Sequence, residues 1–380
     1  MGLEKIVSFF SNSGFAGLEF GNVVMIGIGL LIITFSITKK AEPLLLITLG
    51  FGMILANIPP HLTGILNAPA GDQPGGLLWY LKQGMELGIY PPLIFLGIGA
   101  TTDFSYLIAN PKLILLGAAA QIGIFLTFIV SSALGFSLKE AASIGIIGGA
   151  DGPSAIYLAT LFSPELLSVI AIAAYTYISF IPILQPPISR LLTTKEERLI
   201  KMKRLRNVSQ AEKIIFPVLT TVIIGLIVPQ ALSLVGMLML GNLLKENKLT
   251  GRLVDACSKY ILDTVTILLM LSVGTKATAD VFLTTATLKI IVLGVAAFIV
   301  AFSSGILFAK FLNLFSKDKI NPLIGAAGVS AVPIAARVSQ QIAQKEDPSN
   351  FILMHAMGPN VAGVIGSAVA VGVFINLIGM

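Results

Sequence analysis

Gly148-Gly149-Ala150-Asp151-Gly152-Pro153-Ser154-Ala155 places one carboxylate among three glycines and a proline inside a run that is otherwise apolar. An aspartate at bilayer depth costs about 2.5–3.5 kcal/mol on insertion scales, so it persists where partners, water or a bound cation offset that cost. Gly148, Gly149, Gly152 and Pro153 free backbone carbonyls beside it, and unwound backbone at that depth is tolerated only where it lines a protein cavity. A surface turn uses the same Asp-Gly-Pro chemistry, but the flanks 144–147 and 155–162 are too apolar for one. Asp151 is therefore read as the carboxylate of an intramembrane cation site.

The composition agrees with lipid as the solvent. Of 380 residues, 55% are hydrophobic and 12% charged, about half the charge of a soluble domain, and the mean hydropathy is +0.92. An all-α polytopic membrane protein is predicted. The net charge of +6 is gathered in a few loops, as cytoplasmic retention of Lys and Arg produces, and nucleic acid is not implied. Cys257 is the only cysteine and His61 and His355 the only histidines, which excludes an intrachain disulfide and a transition-metal cluster. Segment 3–18 has no leader-like cleavage pattern and reads as a short interfacial stretch.

Spanning takes about 20 apolar residues or a little less, and such runs fall at 21–38, 41–58, 88–102, 112–134, 164–191 and 213–228, then at 230–244, 253–274, 287–314 and 351–378. The Gly/Pro-interrupted stretches 143–162 and 320–342 stand apart. Loop 59–86, rich in Gly and Pro and poor in Lys and Arg, reads as external. The run from Lys195 to Arg206 should be cytoplasmic, and Lys39-Lys40, Lys245 to Arg252 and Lys317 to Lys319 fall on its side if the runs alternate. That count makes 143–162 re-entrant from outside, or a broken helix, and starts 320–342 from inside.

The halves resemble each other in order. Thr101-Thr102-Asp103 answers to Thr278-Ala279-Asp280, and Ile147-Gly148-Gly149-Ala150 to Ile324-Gly325-Ala326-Ala327. Two inverted repeats are expected, 1–190 and 212–380, joined by a basic connector at 191–211. Paired interrupted segments in corresponding places point to a midplane substrate or ion site.

The second interrupted segment runs Asn321-Pro-Leu-Ile-Gly325-Ala-Ala-Gly328-Val-Ser330-Ala-Val-Pro333-Ile-Ala-Ala-Arg337. Sodium prefers hard oxygen ligands, and Asp151, Asn321 and Ser330, with carbonyls freed near Gly325 and Pro333, offer them. Arg337 keeps its charge, so it pairs with Asp151 or a substrate carboxylate, unless it snorkels to the interface. Asn321 also fits a helix cap. Tyr175 and Tyr177 lie on different faces of one apolar run, and Tyr177 is either a proton carrier or an interfacial anchor. Met357-Gly-Pro-Asn360-Val-Ala-Gly363-Val-Ile-Gly366-Ser367 adds polar and small residues, its glycines suited to helix packing.

Taken with Gly149-Ala-Asp151-Gly-Pro-Ser-Ala155 and Ala335-Ala-Arg337-Val-Ser339, these motifs make the whole chain resemble the membrane-embedded beta subunit of the sodium-pumping biotin-dependent decarboxylases. The resemblance implies two inverted repeats, and decarboxylation of carboxybiotin coupled to outward sodium movement in the bacterial cytoplasmic (inner) membrane. It implies that Asp151, Tyr177 and Arg337 act in catalysis, that Asp151, Asn321, Gly325 and Ser330 serve sodium, and that Arg337 meets the substrate carboxylate. It further implies partners: a biotin carrier, a carboxyltransferase and a small membrane-anchor subunit. The shorter length favours the methylmalonyl-CoA or glutaconyl-CoA branch. Biotin is not attached here, because Met202-Lys203-Arg204 lacks the second methionine of a carrier site. A sodium/proton antiporter or sodium-coupled transporter would use the same repeat and aspartate, and a passive membrane anchor would need neither Asp151 nor Arg337.

Overall fold

A computed structural model describes Phe9 and residues 13–379, so the interfacial stretch expected at 3–18 lies largely outside the described residues. Apart from one isolated bridge between Ala70 and Gln73 in the loop read as external, the regular elements among the described residues are helical. Among the described residues, seven helices are long and apolar enough to cross a membrane.

The first half is built from α1 (Phe20–Lys39), α2 (Pro43–Asn57), α3 (Leu77–Glu86) and α4 (Tyr90–Thr101), then α5 (Ile114–Ala120) and α6 (Ile122–Ala133). The run expected at 112–134 forms one candidate span, Pro111–Ala133, with a turn at Gln121 between α5 and α6. After it come α7 (Leu138–Gly145), α8 (Gly152–Phe162) and α9 (Leu167–Leu192). Ser137 and Glu140 close a capping box at the start of α7, satisfying two otherwise orphan amides. The second half contains α10 (Gln210–Ile227), α11 (Leu232–Glu246), a π-helical stretch at Ala256–Ile261 leading into α12 (Leu262–Gly274), α13 (Thr285–Phe315), α14 (Ile334–Glu346) and α15 (Leu353–Ile378). Each stretch set aside for its Gly and Pro is interrupted in space. A 3-10 turn at Ile146–Gly149 divides α7 from α8, and 327–333 separates the short turn Leu323–Ala326 from α14.

Depth in the bundle follows the same order in both halves. The apolar windows of α1 and α10 are 17% and 6% buried, whereas those of α9 and α15 are 61% and 56% buried, which puts the first pair at the rim and the second at the centre. Packing across the halves is reciprocal. α2 lies on α12 and α4 lies on α11. Asn57 Nδ2 donates to the Ala277 carbonyl at 2.8 Å, and Asn242 Nδ2 donates to the Thr102 carbonyl at 3.1 Å. A Cβ at Gly52 would collide with the Leu271 carbonyl, and one at Gly99 with the Leu238 carbonyl. Small residues thus bring these backbones into contact, which holds helices together where no hydrophobic effect acts between them.

The basic connector is strapped to the second half. Arg198 pairs with Glu346 and Lys201 with Asp347, both at 2.9 Å, and Lys203 pairs with Asp318 at 2.6 Å. The hydrogen bond from Lys201, joined by those from Ser349, lowers the Asp347 carboxyl to about 2. A lowered folded value adds stability above the unfolded value near 3.9, and that stability is lost as the pH falls toward 2. The thermal midpoints of the parent and Asp347→Asn should therefore differ by a constant amount from pH 5 to 8 and converge below pH 4. A difference that varies across pH 5–8 would contradict this.

Candidate functional site

Local sequence chemistry sets the first wall. Gly148-Gly149 lets the 3-10 turn close, Ala150 adopts a left-handed conformation (φ 55°), and Asp151 becomes the extended N-cap of α8 with Pro153 in the first turn. Asp151 is only 6% exposed. Its Oδ1 accepts the Ser154 amide at 3.3 Å, and its Oδ2 accepts the Ser154 hydroxyl at 2.9 Å and the Ser367 hydroxyl at 2.5 Å. Asp151 forms no ion pair among the described residues. Its carboxyl is therefore held by hydroxyl and amide groups.

The second interrupted segment crosses the first at this point. Ser330 donates its amide to the Gly149 carbonyl at 2.9 Å and its hydroxyl to Ser367 Oγ at 3.1 Å, so Ser367 on α15 links Ser330 to Asp151. Behind the crossing, Asn360 Nδ2 serves the carbonyls of Ala327, Val329 and Ala331 at 3.0, 2.7 and 3.3 Å. Among the described residues, the buried Oδ1 of Asn360 and Oε1 of Gln121 have no hydrogen-bond donor. Buried acceptors are seldom left unpaired, and two such oxygens beside unwound backbone are the chemistry a hard cation selects.

A cavity of about 310 Å³ opens on the crossing, lined among others by Asp151, Tyr175, Ser330, Thr266, Glu42 and Asp263, and by no Lys, Arg or His. The set of four sodium ligands expected from sequence is therefore only partly brought together: Asp151 and Ser330 meet here. Asn321 instead donates to the carbonyls of Arg198 and Ile200, both at 2.9 Å, and accepts the Leu323 amide. It ties the connector to the entrance of its segment. Gly325 sits against α13, where a Cβ would strike the Gly305 carbonyl, and its own carbonyl accepts the Gly328 amide at 3.0 Å.

Tyr175, rather than Tyr177, faces the cavity; a Cβ on Gly152 would run into its ring. Tyr177 donates to the Ile291 carbonyl at 2.6 Å and sets its ring edge on Phe298, in space left by Gly294. It thereby joins α9 to α13. Arg337 is exposed on α14 and takes no part in any ion pair among the described residues, with Asp151 or otherwise. Ser367, Asn360, Gln121 and Tyr175 were not assigned to the site from sequence. The one signal for the first two is spacing: seven residues, or about two helical turns, put Asn360 and Ser367 on one face of α15.

Comparison with known proteins places these features in context. The model of the family described as Na+-transporting oxaloacetate decarboxylase beta subunit matches residues 21–378. The methylmalonyl-CoA decarboxylase subunit beta of Propionigenium modestum is 52% identical over 396 aligned positions, covering 99% of this chain and 100% of that protein. The glutaconyl-CoA decarboxylase subunit beta of Acidaminococcus fermentans is 50% identical, covering 98% of each. The probable oxaloacetate decarboxylase beta chain of Pasteurella multocida is 45% identical, covering 99% of each.

Proposed function

The chain belongs to the family of Na+-transporting oxaloacetate decarboxylase beta subunits, and from that membership we propose that it decarboxylates carboxybiotin presented by a partner subunit while exporting sodium across the bacterial cytoplasmic membrane. Identity of 52% and 50% to the methylmalonyl-CoA and glutaconyl-CoA subunits, against 45% to the oxaloacetate chain, favours the acyl-CoA branch. Biotin carrier, carboxyltransferase and small anchor subunits are its proposed partners. The matched helix packings of the two halves support inverted repeats at 1–190 and 212–380 about the connector 191–211.

One observation carries the ion chemistry: a buried carboxylate with no cationic partner, at the crossing of two interrupted segments, in a cavity that presents oxygens. Sodium is the cargo, and Asp151 and Ser330 are its ligands, joined by the free oxygens of Asn360 and Gln121. Asn321 and Gly325 act by positioning, the first anchoring the segment and the second seating it on α13. The unpaired Arg337 guanidinium meets the carboxylate of carboxybiotin, for which its planar fork is suited. Arrival of sodium displaces a proton held by the site, on Asp151 or on a phenol. The ureido nitrogen of carboxybiotin takes that proton and keeps the electron pair of the breaking N–C bond, and carbon dioxide leaves. Tyr175 is the phenol on the cavity; Tyr177 acts through the α9–α13 contact, and a shift of that contact would couple its proton to the site. Moving one charge against 100 mV costs about 2.3 kcal/mol, so the loaded site must not reopen inward.

The test is carbon dioxide release from free carboxybiotin by the purified chain with its partner subunits, in sodium and in choline buffer. Sodium-stimulated release is expected. Release indifferent to sodium, with sodium/proton exchange by the reconstituted chain alone, would replace this reading with an antiporter.

A further inference from the structure

We infer that Glu42 and Asp263 are the capture residues of the cation route, standing at the mouth of the cavity whose floor is Asp151; the inference rests on the sodium-site reading above. Their placement follows from helix register. α2 and α12 run parallel, because Asn57 bonds the Ala277 carbonyl and, further back along both helices, Gly52 abuts the Leu271 carbonyl. Carrying the offset of 220 residues back from Asn57 to Glu42 arrives at Leu262, beside Asp263. The two carboxylates therefore lie at one level, Glu42 as the N-cap of α2 and Asp263 in the first turn of α12, immediately after the π-helical stretch.

Both line the same cavity as Asp151. Glu42 and Asp263 are absent from the ion pairs among the described residues, although Lys39 and Lys40 precede Glu42. Burial is graded: Asp263 is exposed, Glu42 half-buried and Asp151 buried. Glu42, Asp263 and Asp151 do not gather into one cluster of metal-ligating carboxylates among the described residues. The arrangement is a sequence of charges along a path. Carboxylates lining a cleft with low-dielectric walls focus field lines and raise the local cation concentration. The same field repels an anion, so the N-carboxylate of carboxybiotin is kept out of the cavity and left to Arg337, three residues beyond Ile334 on the cavity wall. Glu42 and Asp263 thus separate the approach of the cation from that of the anionic substrate.

The experiment is sodium titration of carbon dioxide release by the full complex, at constant ionic strength held with choline chloride. Glu42→Gln and Asp263→Asn are each expected to raise the half-saturating sodium concentration about threefold to tenfold, the low end of what focusing supplies, with the loss recovered at saturating sodium. The double variant should exceed either single. The shift should shrink as ionic strength rises, and Glu42→Asp and Asp263→Glu should restore most of it. Unchanged half-saturation in the double variant, or a lower maximal rate at unchanged half-saturation, overturns the inference while leaving the Asp151 site intact. A parent rate that ignores sodium overturns the underlying reading instead, and this one with it.

Discussion

Asp151→Asn is expected to abolish sodium-stimulated decarboxylation while leaving the protein folded. Asparagine keeps the size of the side chain and one oxygen that accepts the Ser154 amide, so the N-cap of α8 survives. What is lost is the one formal charge at the crossing. At about 1.4 kcal/mol per tenfold, loss of an interaction worth about 3 kcal/mol lowers sodium affinity about 100-fold. The readouts are sodium-dependent carbon dioxide release and the thermal midpoint of the detergent-solubilised chain. Retention of the parent rate and sodium response would remove Asp151 from the ion route; a collapse of the midpoint would make its role structural.

Asn360→Leu is expected to have the second largest effect, and by a different cause. Leucine approximates the volume, but removes the donors that serve the carbonyls of Ala327, Val329 and Ala331. A buried group left unsatisfied costs about 1–3 kcal/mol; Ala331 still accepts the Ala335 amide, so orphaning Ala327 and Val329 costs about 2–6 kcal/mol. The segment carrying Ser330 should then lose its shape, with a fall in the thermal midpoint and loss of sodium stimulation together. Asn360→Asp separates the two duties of this side chain, since it keeps an oxygen for the cation and loses the amide donors. If Asn360→Leu matched the parent in both midpoint and activity, the carbonyl support would be dispensable and the free Oδ1 irrelevant to sodium.

Hydropathy located seven of the ten expected spans because lipid imposes a length of uninterrupted apolar sequence; the runs at 41–58, 88–102 and 230–244 form shorter helices of 15, 12 and 15 residues. The interrupted stretches stood out because Gly, Pro and Asp violate that rule together. The turn at Gln121 within 112–134 was not legible, as a single glutamine does not end a helix. Asp151 was conspicuous through the cost of its charge. Ser367 was not, since a serine in an apolar helix ordinarily bonds its own backbone and only the tertiary crossing brings it to a carboxylate. Asn321 has the chemistry of a ligand, and only distances reveal that its Nδ2 also serves the connector carbonyls of Arg198 and Ile200 while its Oδ1 accepts the Leu323 amide. Glu42 reads in sequence as a loop charge next to two lysines. It takes the register of α2 on α12 to set it beside Asp263.

That register bears on how the protein is made. While the ribosome is still translating the second half, α2 and α4 are already in the bilayer but lack α12 and α11, the helices against which their glycines close. The first half already seats α2 on α1, where Gly29 and Gly50 bring the backbones together, but the faces that meet α12 and α11 stay undocked until those helices arrive. These two contacts wait for synthesis of the second half, and a chain truncated after the connector leaves two glycine-lined helix faces open to lipid or to the wrong neighbour.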